Sequence, residues 1–342
     1  MSENRGNNRE PPDTGNGADN KTQDTGVRSR GGKAKAFPPF NPLKRNKNLG
    51  SASRAEQARF AFFMTLPSVV FLIVVFTFPL LYLLGLSTFR YELARPSANA
   101  WIGLENYVFM LRDSRFWNSM RVTAIYTTGT VILQVIVGMG LALALEKDIA
   151  GRFRDTLRVA VMLPMILAPV VVGLAWRTLL LTQRYGLIDF IAITLGFGSQ
   201  PWLGNPSYAL VSVITIHTWQ WTPFAFLVFL ASLATVPDEL YEAARIDRAG
   251  AVQRFIHITL PLLRPSIVVV VVIRLMVALR AFAAIFSATG GGPGTSTEIL
   301  NLFAYRTSFN ALNLGYGAAL GTTLLLLTTV MSLLLFRLKR AE

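Results

Sequence analysis

The sequence predicts an all-α polytopic membrane protein: six transmembrane helices, with one long charged loop between the fourth and the fifth. Three observations carry this. Of 342 residues, 52% are hydrophobic and 15% charged, whereas about a quarter are charged in an ordinary soluble domain. The apolar residues are gathered into long blocks with little or no charge, which a water-soluble core of this size cannot bury. The 33 Lys and Arg residues, which bring the net charge to +14, cluster in an N-terminal segment and at the edges of those blocks, where membrane-flanking charge belongs. That distribution argues against nucleic acid as the partner of the basic charge. A β-barrel would show short alternating strands, and the sequence has none.

Residues 1–59 hold 12 of the basic residues and 6 acids, with almost no large apolar residue before Phe37. Such a segment buries too little surface to offset its chain entropy, so it is expected to be a disordered, basic, cytoplasmic tail. It is solvated, or its basic runs Arg28 to Lys35 and Lys44 to Lys47 touch anionic membrane lipid. No short apolar region follows a basic start, so a secretory signal peptide is not indicated.

The transmembrane domain is expected over 60–342. Phe60 to Phe89 contains no charge and exceeds the roughly 20 residues that cross the hydrocarbon. Further blocks run from Val122 to Leu145, Val159 to Leu181, Tyr208 to Val236, Ser266 to Ala288 and Leu314 to Phe336. Pro67, Pro79, Pro164, Pro169 and Pro223 fall inside them, as membrane helices tolerate when neighbours re-satisfy the freed carbonyls. Placing both termini in the cytoplasm puts 23 basic residues inside and leaves 10 outside or within spans, in keeping with the positive-inside rule. Without the tail the bias almost vanishes.

Several chemistries are excluded. With no cysteine and two histidines there is no disulfide, thiol nucleophile or recognisable metal site, and no cofactor is indicated. No GxxxxGK[ST], HExxH or GxSxG motif is present, and Gly290–Gly291–Gly292 leads into Pro293 instead of opening a helix. The chain is therefore expected to be non-catalytic.

The loop from Val236 to Pro265 is long, charged and amphipathic, and lies on the cytoplasmic side of this topology. Ala243 and Ala244 beside Glu242 would let another protein approach a short helix closely, and Ile258, Leu260 and Pro261 are expected to mark where the chain turns back to the membrane. An interfacial helix on lipid fits equally well. The stretch resembles the EAA motif, EAA-x3-G-x9-I-x-LP, of the permease subunits of binding-protein-dependent ABC importers, with Glu242–Ala243–Ala244 and Ile258-x-Leu260–Pro261 at its spacing. Arg248 stands at the motif's glycine, with Gly250 two residues later, so either Gly250 takes the turn or the loop is reshaped.

Gly103–Leu104–Glu105–Asn106–Tyr107, Thr289 to Pro293 with Thr297, and Leu314–Gly315–Tyr316 resemble segments of carbohydrate-importer permeases of the maltose-permease kind. They extend the likeness over roughly residues 60–340 and point to the larger subunit of a heterodimer. The resemblance implies that the EAA loop couples the permease to an ATPase. Its site residues would be Glu242, Ala243, Ala244, Arg248, Gly250, Ile258, Leu260 and Pro261. The loop from Glu146 to Arg158 is a lipid-facing turn or a second contact with the same partner.

Polar residues deep in a span are costly and face the bundle interior. Arg274 lies nine residues into the fifth block. It either lines a pathway or belongs to a buried pair or a snorkelling side chain, and the spans offer almost no acid as its partner. His217 to Phe224 join aromatic rings to an amide and an imidazole, the combination a sugar site uses, although Trp also marks membrane interfaces. Carrying over the maltose-permease sugar contacts places them on His217, Gln220, Trp221 and Phe224, and on Arg274, Val277, Ala278 and Ala281. Most of the family's amides are absent there, which makes maltose itself a poor fit.

The resemblance thus implies a permease subunit in a prokaryotic cytoplasmic membrane that translocates a carbohydrate or related polyol by alternating access. Its partners would be a second permease, two ATP-binding subunits and an extracytoplasmic solute-binding protein. Glycerol phosphate is an alternative substrate. An ion-coupled secondary carrier would need intramembrane acids and leaves the EAA loop unexplained, as does a scaffold without a pathway.

Overall fold

The computed structural model describes residues 49–146 and 151–340. The tail ahead of Leu49, and Lys147 in the loop after the second span, lie outside the described residues. The chain separates into two units, residues 1–66 and 67–342; α1 (Leu49–Ser87) supplies the end of the first and the start of the second. It begins inside the segment expected to be tail, because residues 51–59 are rich in helix formers such as Ala, Glu, Gln and Arg.

In the second unit a two-stranded antiparallel ribbon, β1 (Phe89–Arg90) with β2 (Ala100–Trp101), and α2 (Glu105–Arg112) follow the end of α1. The Gly103–Tyr107 segment fastens them together. Asn106 Nδ2 donates to the carbonyls of Ser87 and Phe89 at 2.8 and 2.9 Å, and the Tyr107 and Ser87 hydroxyls lie 2.8 Å apart.

The remaining elements are α3 (Ser114–Ala144), α4 (Gly151–Ile166), α5 (Pro169–Ala175) with a π-helical turn Trp176–Leu180, α6 (Leu187–Thr194) and α7 (Pro206–Leu233). Then come α8 (Asp238–Ile246), α9 (Ala251–Arg254), a π-helical turn Phe255–Thr259, α10 (Leu260–Leu279), α11 (Ala283–Ala288), α12 (Leu300–Tyr305) and α13 (Leu314–Arg340). Among the described residues, five helical segments are long and apolar enough to cross a membrane, and one bent pair brings the number to six when it is counted as a single span. Among the described residues the secondary structure is all-α apart from the short ribbon and an isolated bridge between Glu92 and Asn313.

Three expected boundaries change. The second span starts at Ser114, earlier than Val122, behind an Asp113 carboxylate that accepts the Arg115 N–H at 2.9 Å. The third is not one helix but α4 and α5, bent by 100°. Pro169 forces the preceding Ala168 into extended backbone, φ −62° and ψ 135°. The fifth begins at Ala251 and ends at Leu279, because Arg280 and Phe282 leave the helix before α11 starts.

At the centre, α3 and α7 run side by side in the same direction, and α10 crosses back against them. Met139 and Ala142 of α3 pack with Phe226, Phe229 and Leu233 of α7 and with Leu263 and Val270 of α10. In lipid, helix association rests on close backbone approach and not on hydrophobic transfer. Gly138 provides it, since a methyl group there would stand 2.7 Å from the Ala225 Cβ.

At one end of the bundle the buried Glu298 carboxylate binds Arg115 through two bonds of 2.7 Å and Arg306 through one of 2.9 Å. That joins α3 to the loop and helix before α13. Beyond α5, the buried Asp189 carboxylate accepts from the Ser199 hydroxyl, the Arg184 and Gln200 N–H groups and the Trp202 indole N–H. These donors, the Ser199 hydroxyl foremost, hold its pKa down to about 2 and organise the connection from 181 to 205.

Candidate functional site

Five side chains, Gln134 and Tyr126 of α3, His217 and Trp221 of α7 and Arg274 of α10, meet where these helices cross. Arg274 is 1% exposed, and its Nε donates to Gln134 Oε1 at 2.7 Å. Gln134 Nε2 in turn donates to the His217 carbonyl at 3.3 Å. The Arg274 guanidinium carbon stands 4.6 Å from the centroid of the Trp221 ring, and His217 lies between Tyr126 and Trp221 at ring distances of 5.4 and 6.4 Å. Arg274 therefore does not snorkel, and among the described residues it forms no ion pair: an amide and an aromatic face hold it. Gln134 had a readable signal, an amide in the middle of an apolar block, which a search confined to acids passes over.

A cavity of about 330 Å3 adjoins this cluster. His217, Gln220, Trp221, Val277 and Ala281, five of the eight positions carried over from the family, line it together with Pro169, Arg280, Phe282, Ala283 and Ala284. Arg274, Ala278 and Phe224 do not. Arg274 sits behind the Trp221 ring, Ala278 is buried, and Phe224 packs on the α3–α7 core. Gln220 is fully buried, and its Nε2 donates to the Leu167 carbonyl at 3.0 Å, a group left over at the elbow of the bent span. Arg280 and Phe282 were not among the expected site residues. Nothing in the sequence marks the break after Leu279 that brings them to the cavity. A larger cavity of about 600 Å3, with Leu133, Val137, Trp176 and Trp219 among its walls, has neither charge nor amide in its lining.

The EAA loop folds as two helices. Glu242 and Ala243 are exposed on α8, and Ala244 is half-buried. The Tyr241 and Thr259 hydroxyls, 2.9 Å apart, tie α8 to the following helix. The turn falls on Arg248, at φ 57°, while Gly250 has φ −67° and opens α9. Arg248 N–H donates to the Arg245 carbonyl and Ala249 N–H to that of Ala244, the bond pair of a Schellman cap, which requires a left-handed residue at this position. Gln253 Oε1 accepts from the Gly250 N–H at 2.9 Å. Ile258, Leu260 and Pro261 do not mark a turn, because α9, the π-helical turn and α10 form one helix from Ala251 to Leu279. A wider turn just ahead of Pro261 suits a residue with no N–H to donate.

A left-handed arginine costs roughly 1–2 kcal/mol. Arg248→Gly is expected to raise the thermal unfolding midpoint and Arg248→Val to lower it, while Gly250→Ala, with only Gln253 Oε1 3.9 Å from the added methyl, leaves it nearly unchanged. Equal midpoints for the Gly and Val variants would refute the strain at Arg248.

A bundle of apolar spans with a buried polar centre, a cavity beside it and a charged two-helix loop at one end defines a membrane transport subunit. The sequence pattern of the binding-protein-dependent transport system inner membrane component family matches residues 134–341, and the chain belongs to that family. It is 35% identical over 295 residues to the trehalose/maltose transport system permease protein MalF of Thermococcus litoralis, covering 86% of this chain and 97% of that protein. It is 34% identical over 278 residues to the sulfoquinovosyl glycerol transport system permease protein SmoG of Agrobacterium fabrum, covering 81% and 89%. Its fold matches a chain of a bacterial ABC transporter involved in the import of alginate, with a TM-score of 0.71 and 22% identity over 86% of this chain and 99% of that one.

Proposed function

We propose that this permease carries a carbohydrate or related polyol through the cavity beside α7 and α10, as one half of a permease heterodimer. Two ATP-binding subunits drive it through α8, and an extracytoplasmic solute-binding protein delivers the substrate. The observation that carries this reading is the gathering of His217, Gln220, Trp221, Val277 and Ala281 around one cavity. Ring faces suit the apolar sides of a pyranose, and the amide and imidazole suit its hydroxyls. The relatives named for trehalose/maltose and sulfoquinovosyl glycerol favour a sugar over glycerol phosphate. The basic residues favour cytoplasmic termini in a prokaryotic cytoplasmic membrane; with that orientation Glu242, Ala243, Ala244 and the Arg248 turn would face the side where an ATPase binds.

The test is reconstitution of both permeases with their ATPases in lipid. ATP hydrolysis is expected to rise when sugar-loaded binding protein is added, and the sugar to accumulate on the other side. A complex that hydrolyses ATP at the same rate with and without loaded binding protein would sink the proposal.

A further inference from the structure

Resting on the carbohydrate reading above, we infer that the cavity selects acidic sugars, carrying a carboxylate or sulfonate, and that Arg280 is the residue that selects them. Arg280 is the one charged residue in the cavity lining. It is exposed, and no carboxylate among the described residues forms an ion pair with it. What holds it is backbone: its N–H donates to the Val277 carbonyl at 3.2 Å, and its own carbonyl accepts from Asn301 Nδ2 at 3.4 Å. It caps the C-terminal end of α10, where a cation is favoured by the last carbonyls, and its side-chain donors are left for a ligand.

Among the described residues the cavity lining holds no acid, and positive charge lies close by. Arg274 stands directly behind the Trp221 ring that faces the cavity. Glu298, the acid in the loop that follows α11, is buried and fully engaged by Arg115 and Arg306. A guanidinium with free donors binds a planar or trigonal anion through two parallel bonds, stronger than any bond it makes to a neutral hydroxyl. The rest of the lining suits the rest of such a ligand. Gln220 Oε1 is buried and has no hydrogen-bond partner among the described residues. With its Nε2 committed to Leu167, the free atom is an acceptor for a sugar hydroxyl. Trp221 and Phe282 offer ring faces. A neutral sugar would satisfy Gln220 and the rings but leave Arg280 unused. A volume of about 330 Å3 is near the lower limit of ligand pockets, roughly 300–1,000 Å3, and so favours one or two sugar rings in this chain's share of the path.

The experiment titrates the assembled transporter, both permeases with their ATPases, with matched pairs of sugars that differ only in oxidation at C6: glucuronate against glucose, and galacturonate against galactose. Tryptophan fluorescence reports binding, and Trp221→Phe serves as the blank that assigns the signal. Glucuronate is expected to bind about tenfold more tightly than glucose, equivalent to about 1.4 kcal/mol. That ratio should fall to near one in Arg280→Gln and be partly retained in Arg280→Lys. Equal binding of the two sugars, or a ratio unchanged in Arg280→Gln, would overturn the selectivity while leaving the carbohydrate reading in place. Absence of a Trp221 signal with every sugar, in a complex that still assembles and hydrolyses ATP, would remove the carbohydrate reading itself.

Discussion

Gln134→Leu is expected to cripple assembly of the permease, because it strips the Arg274 guanidinium of its one side-chain hydrogen bond in the middle of the bundle. Arg274 Nη2 already lacks a hydrogen-bond partner among the described residues, so losing Nε as well would leave only the Trp221 face against the charge. An unsatisfied buried charge costs more than the 1–3 kcal/mol of a neutral group, and insertion scales put an uncompensated arginine at about 2.5–3.5 kcal/mol. A loss of about 3 kcal/mol is a large share of a typical domain's stability. The measurement is the yield and unfolding midpoint of the purified subunit in complex with its partners.

Arg274→Leu removes the charge and is expected to assemble. The double variant Gln134→Leu with Arg274→Leu should also recover assembly, since replacing both partners of a buried polar pair by apolar groups is often neutral. Transport then separates the two roles of Arg274. Variants that assemble and transport normally assign it to packing, whereas variants that assemble without transporting assign it to the pathway. Wild-type yield and midpoint in Gln134→Leu alone would contradict the pairing seen in the structure.

Glu242→Lys is expected to abolish coupling. Glu242 is exposed on α8 and is the acidic position of the proposed ATPase contact. A like charge buried against the partner, or a carboxylate lost from a desolvated pair, costs on the order of 2–5 kcal/mol. The permease itself should insert and fold, because the side chain makes no contact that holds the bundle together. Co-purification of the ATPase and ATP-driven uptake are the two readouts, and a variant that retains both would remove α8 as the coupling element. Ala243, on the same exposed stretch, should tolerate serine and reject tryptophan if close approach is what it provides.

Much of this molecule was legible locally. Charge-free blocks mark spans because an ionised side chain in hydrocarbon is costly wherever it sits. The loop was legible through its resemblance to the EAA motif, carried by Glu242–Ala243–Ala244 and Ile258-x-Leu260–Pro261 at the motif's spacing. Even the elbow of the third span was available in principle, since Pro169 restricts Ala168 whatever surrounds it. Other features depended on which helix faces meet. Gln134 and Arg274 are 140 residues apart, and no periodicity names one as the partner of the other. The end of α10 at Leu279 has no glycine or proline to announce it; Asn301 and the rings of Phe282, Phe286 and Tyr305 decide it from outside the segment. That break brings Arg280 to the cavity and so gives the site its charge. The left-handed turn falls on Arg248 and not on Gly250 because the Schellman cap is counted from the end of α8 at Ile246, which makes Arg248 the residue whose N–H reaches back to the Arg245 carbonyl. The sequence by itself therefore determined roughly where the spans lie, through the cost of placing charge in hydrocarbon, and its resemblance to the EAA-bearing permeases pointed to the class of protein and the identity of the loop. Only the tertiary structure decided which polar groups pair and which line the cavity, because those depend on contacts between segments that no local preference encodes.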